Sequence, residues 1–99
     1  AWRSNINTFV DAVNSGDKKA AGRVMCKDAD ENGPISDLLN GSAQIQLGEV
    51  VVDSDYYAYV EISGTLDGKE IGDGSRISMD NFEDDEPWCV DRAMVLGAY

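Results

Sequence analysis

Histidine is missing from this 99-residue chain. With it go the Ser–His and Cys–His pairs on which nucleophilic hydrolases rely. Cysteine occurs twice, at Cys26 and Cys89, and two thiols without histidine fall short of the four ligands of a structural zinc site. Basic residues are scarce as well: 8 Lys and Arg face 19 Asp and Glu, for a formal net charge of −11. Such a surface repels phosphate backbones and anionic lipid heads, which argues against nucleic acid and against membrane insertion by this segment. No apolar run reaches the ~20 residues of a membrane span, and no signal peptide is visible. No glycine-rich phosphate loop follows a strand pattern, since "GDGSR" (72–76) lies inside one and reads as a bulge. No cofactor is expected.

What remains is a globular composition, 42% hydrophobic, and a length suited to one modest core. Residues 1–99 are expected to form a single domain. Because "AWRSNINTFV" already reads as the start of a helix, the domain is expected to belong to a longer exported or membrane-anchored protein.

In that first helix Trp2, Ile6, Phe9, Val10 and Val13 form one apolar stripe, with Ser4 as the expected N-cap. Gly16 is free to take the left-handed conformation that ends it. Asp17 is placed to cap a second helix over residues 18–26, with Ala20, Ala21, Val24 and Met25 on its apolar side. Pro34 suits the first turn of a short third helix, whose buried residues would be Leu38 and Leu39.

From residue 43 the period changes to two. Ile45 and Leu47 alternate, an irregularity is expected near Gly48, and Val50 with Val51 or Val52 resumes the pattern. Residues 56–66 form the clearest strand, with Ala58, Val60, Ile62 and Leu66 on one face and Tyr57, Tyr59, Glu61, Ser63 and Thr65 on the other. Asp67-Gly68 is a two-residue hairpin turn of the kind that needs positive φ. A returning strand (69–82), the acidic turn 83–86 and a last strand (88–96) follow. The order predicts an α+β domain: N-terminal helices packed on a curved antiparallel sheet of about four strands.

Three groupings bear on function. Asp28, Asp30 and Asn32, with Gly33, occupy positions 1, 3, 5 and 6 of a calcium-loop pattern over 28–36. The twelfth position, where a bidentate acid completes the shell, is Leu39, so weak calcium binding is the most this segment offers, and a helix-to-helix connection explains the same residues. Asp53, Asp55 and Glu61 would supply paired carboxylates, although a strand junction and a polar face explain them through solvation. Tyr56, Tyr57 and Tyr59 suit either a ligand or partner surface or cross-strand packing. The two cysteines leave buried thiols or one disulfide. A bridge closing about 64 residues would remove roughly 4 kcal/mol of unfolded-chain entropy and would imply an oxidising compartment.

Two stretches carry a resemblance. "FVDAVNSGDKKAAGRVMC" (9–26) and "PWCV" (87–90) resemble the nuclear-transport-factor-2-like (cystatin-like) superfamily, and within it the small extracytoplasmic domains of actinobacterial membrane proteins and lipoproteins. The resemblance implies a cone-shaped fold with a bent sheet around the first helix and a Cys26–Cys89 disulfide. Strict alternation, however, sets Trp88 and Val90 opposite Cys89, so a bridge there requires a twisted strand or a place at the sheet edge. Enzymes of the superfamily use Asp or His inside the cone, and no Asp here matches those positions. The reading is a non-catalytic, cell-envelope binding or interaction domain. Its partner would be a protein or a second copy on the open sheet face, with Val50, Val52, Tyr57 and Tyr59 as interface candidates. The alternatives are a small-molecule pocket protein or isomerase-like enzyme with a buried carboxylate, and a calcium-binding module.

Overall fold

The structure, a computed structural model, describes residues 2–26, 29, 34–54, 56–81 and 88–97. Helix α1 (Trp2–Ser15) buries Trp2, Ile6, Phe9, Val10, Ala12 and Val13. Burial contributes about 1.5–3 kcal/mol for each large apolar side chain, so packing rather than propensity holds this helix. Ser4 lies inside the first turn, where its carbonyl accepts from Thr8 Oγ1 at 3.0 Å, and is not the N-cap. The apolar stripe already includes Trp2, so the helix starts there. At the other end Gly16 takes φ +74°. The Gly16 N–H donates to the Val13 carbonyl and the Asp17 N–H to that of Ala12, closing a Schellman motif.

Asp17 caps α2 (Lys18–Arg23), its carboxylate accepting from the Ala20 N–H at 3.1 Å. The helix stops at Arg23 and does not run on to Cys26. The backbone of 24–26 is taken by the sheet instead: the Val90 N–H donates to the Val24 carbonyl at 2.7 Å, and the Cys26 N–H to that of Val90 at 2.8 Å. Helix α3 (Pro34–Asn40) buries Ile35 and Leu38 completely, whereas Leu39 is half-buried against the core. No helix among the described residues is long and apolar enough to cross a membrane.

The sheet contains β1 (Ala43–Asp53), β2 (Tyr57–Leu66), β3 (Lys69–Glu70), β4 (Arg76–Asp80) and β5 (Cys89–Met94). Its order is β1-β2-β4-β5, with β3 also on β2, and every pairing is antiparallel. The irregularity near Gly48 is real: the β1–β2 register shifts between Leu47 and Val50 and again between Val50 and Val52. Asp67 and Gly68 take φ +54° and +82° in the hairpin turn. The returning strand is broken rather than merely bulged. Residues 71–75 leave the ladder between β3 and β4, tied down by Ile71 N–H to the Gly64 carbonyl and Ile62 N–H to that of Ser75. Glycines 72 and 74 permit the excursion, Gly74 at φ +90°.

One sheet face packs on α1 and α3 through Ala58, Val60, Ile62, Ile77, Met79 and Val90, all buried. The other face is open. Register places Val52, Tyr59, Ser78 and Arg92 in one row across it, and Tyr57, Asp80 and Cys89 in the next.

Candidate functional site

The two sheet margins are closed differently. At β5, Met25 bridges in parallel to Val90, and Cys26 then pairs with Cys89 in a disulfide with Cα atoms 4.9 Å apart. This resolves the conflict over Trp88: Val90 is fully buried, Trp88 is half-buried against the core, and the bridge sits at the edge. Asn5 Nδ2 donates to the Trp88 carbonyl, anchoring the segment that enters β5. The Asp80 carboxylate lies beside the bridge, 3.8 Å from Cys26 Sγ and 3.9 Å from Cys89 Sγ. Cys26, Asp80 and Cys89 are near enough to share a metal, but joined sulfurs provide no thiolates to hold one. At the β1 margin, Asn14 covers Ile45 from α1 with both atoms of its side-chain amide.

Between the helices and the sheet the fully buried side chains include Ile6, Phe9, Leu38, Ile45, Ile77 and Met79. Among the described residues the buried polar side chain is Ser75 and no carboxylate is buried. Its hydroxyl donates to the Gly72 carbonyl at 2.8 Å and accepts from the Leu96 N–H at 2.9 Å, so its one donor is already engaged. A polar hollow of about 420 Å³ opens where α1 and α3 end. Its amides are engaged: Asn14 with Ile45, and Asn40 with Lys18 and Ser36.

The open face carries a trough of about 280 Å³. Tyr57 and Tyr59 form one wall, with ring centroids 5.4 Å apart and planes 40° apart. Ser78 and Asp80 line its floor, and Asp91 and Arg92 stand opposite. A register shift between β4 and β5 produces this wall, because Ser78 pairs with Arg92 while Met79 pairs with Val90, leaving Asp91 as the extra residue. The Arg76 guanidinium lies over the Tyr59 ring, 5.1 Å from its centroid.

Of the interface candidates, Val52, Tyr57 and Tyr59 share the open face, and the two tyrosines both pack on each other and line the trough. Val50 turns inward opposite Val60 and packs against the core, because the two shifts in β1 rotate it away from solvent. Asp53 accepts from Trp2 Nε1 at 3.2 Å and Glu61 is exposed on the open face. Asp28, Asp30, Asn32, Asp55 and the acids of 83–86 lie outside the described residues. Sequence reasoning does not single out Ser78 of β4 or Asp91 and Arg92 of β5. The spacing of Val90, Ala93 and Val95 was the available signal, since a step of three breaks alternation at a charged pair.

No family model matches the chain, and no curated protein matches it. Among solved structures it is similar to an NTF2-like protein of unknown function from Cytophaga hutchinsonii, with a TM-score of 0.69 at 11% identity. The match covers 96% of this chain and 88% of that one. The fold is therefore nuclear-transport-factor-2-like: helices on an open antiparallel sheet, here with one disulfide.

Proposed function

We propose that this chain is a non-catalytic, extracytoplasmic binding domain of a cell-envelope protein that docks a protein partner on the open face of its sheet. The distribution of exposed apolar surface carries this reading. Among the described residues the exposed large hydrophobics are Val51, Tyr56, Tyr57, Met94 and Leu96. All lie on sheet strands or directly beside them, and none is on a helix. Tyr57 and Met94 point outward by register, opposite Asp80 and Arg76. Exposed apolar side chains on an uncovered sheet face, here Tyr57 and Met94, are a usual mark of a protein contact. The disulfide favours an oxidising compartment. The likeness of residues 9–26 and 87–90 to exported actinobacterial domains points the same way.

The rival reading, a pocket enzyme, calls for a desolvated carboxylate inside the cone. The described interior offers apolar side chains and the engaged hydroxyl of Ser75. A photoreactive residue at position 57, compared with one at position 7 on the exposed side of α1, tests the proposal in the native envelope. Cross-linking at 57 and not at 7 is expected, and a product of twice the chain's mass would identify the partner as a second copy. Equal cross-linking at the two positions, or none at 57, would rule the docking face out.

A further inference from the structure

We propose that the trough on the open face takes an arginine side chain from a basic protein partner, stacked on Tyr57 and paired with Asp91. This rests on the docking face argued above and specifies the chemistry of what docks there.

The chain already makes the same contact internally. Arg3 lies 4.6 Å from the Trp2 ring centroid and Arg76 lies 5.1 Å from that of Tyr59. Tyr57 stands beside Tyr59, is 38% exposed, and has no cation over its ring among the described residues. Across the trough, the bulge in β5 holds Asp91 half-buried. Its carboxylate has neither a hydrogen bond nor an ion pair with any described residue, and neighbouring Arg92 is exposed and leaves it unpaired. An aromatic face opposite an unpaired carboxylate is the arrangement that receives a cation.

Charge selects the cation's source. With 19 acidic residues to 8 basic, the whole-molecule field draws in basic proteins and opposes a second copy carrying the same −11. Shape selects arginine over lysine. A planar guanidinium can lie flat on Tyr57 while its edge donates two N–H groups to a carboxylate, and an ammonium can do only one of these well.

The probe is the capped tripeptide acetyl-Gly-Arg-Gly-amide, titrated into the isotopically labelled chain and followed by NMR. Saturable shifts are expected around Tyr57, Tyr59 and Asp91, with several-fold weaker binding of the lysine tripeptide. Tyr57→Ala and Asp91→Asn should each weaken binding about fivefold, the scale of one cation–π contact or exposed ion pair. Asp11→Asn removes the same charge from the exposed side of α1 and should leave binding within about twofold. Equal losses from Asp91→Asn and Asp11→Asn, or shifts that never saturate, would overturn the trough as a site. If position 57 cross-links a partner while the tripeptide fails to bind, the arginine assignment falls and the docking face stands. If the tripeptide binds and position 57 never cross-links, the trough stands and the docking face falls.

Discussion

Asn14 does for Ile45 what a neighbouring strand would do. Its Oδ1 accepts from the Ile45 N–H at 2.7 Å and its Nδ2 donates to the Ile45 carbonyl at 2.9 Å. Gln44 returns the contact, Nε2 donating to the Asn14 carbonyl at 3.0 Å. The last turn of α1 is thus fastened to β1 by backbone-like pairing.

Both Ile45 groups are part-buried, so losing their partner costs more than the bonds themselves. Asn14→Leu is expected to lower unfolding free energy by about 2–3 kcal/mol. Asn14→Asp should also destabilise, because a carboxylate replaces the donor that faces the Ile45 carbonyl. Urea unfolding measures both, with Asn7→Ala on the exposed side as a control expected to stay within about 0.5 kcal/mol.

Two glycines should respond to alanine in opposite directions. Gly64 has φ +123°, and a Cβ there would run into the Gln44 carbonyl oxygen of β1. Gly64→Ala therefore meets both a strained backbone and a backbone clash, and a loss above about 2 kcal/mol is expected. Gly22 lies inside α2 and a Cβ there would meet nothing within 4 Å. Gly22→Ala should raise stability by about 0.5–1 kcal/mol, visible as a higher thermal midpoint.

Ser75→Ala strips the hydroxyl that joins the 71–75 excursion to Leu96. The Gly72 carbonyl and the Leu96 N–H lose its hydrogen bonds, at a cost of about 1–3 kcal/mol. Gly72 N–H still donates to the Leu96 carbonyl at 2.6 Å, so the segment should loosen rather than detach. Faster amide exchange at Leu96 than at Val60 would report this, and unchanged exchange would contradict it.

Opening the bridge across 63 positions enlarges the unfolded ensemble. The Cys26→Ala/Cys89→Ala double variant is expected to lose about 2–4 kcal/mol. Adding a dithiol reductant to the parent chain should shift its urea midpoint in the same direction and leave the double variant's unchanged.

How much of this was legible in the sequence depends on whether a residue's role is local. The stripe from Trp2 to Val13, the Gly16 stop, the Asp17 cap and the Asp67-Gly68 turn are set by neighbours three or four positions away. All appear as read. The end of α2 was misplaced because Val24–Cys26 are held by Val90, more than sixty positions distant, which no local preference reports. Val50 was misassigned for a related reason. The irregularity near Gly48 is legible, but the second shift, between Val50 and Val52, is not, and it separates Val50 on the core side from Val52 on the open face. The trough shows the same dependence: Tyr57 and Tyr59 stood out by composition, but Asp91 joins them only through a bulge set against β4.

At the β5 margin Val24 and Cys26 take the two backbone groups of Val90, and at the β1 margin Asn14 takes those of Ile45, ahead of two bulges. Strand-on-strand recruitment of further copies therefore meets edges that are interrupted rather than long and flat. The consequence concerns crowding: copies held at high density lack a long, unbroken edge from which a filament could extend.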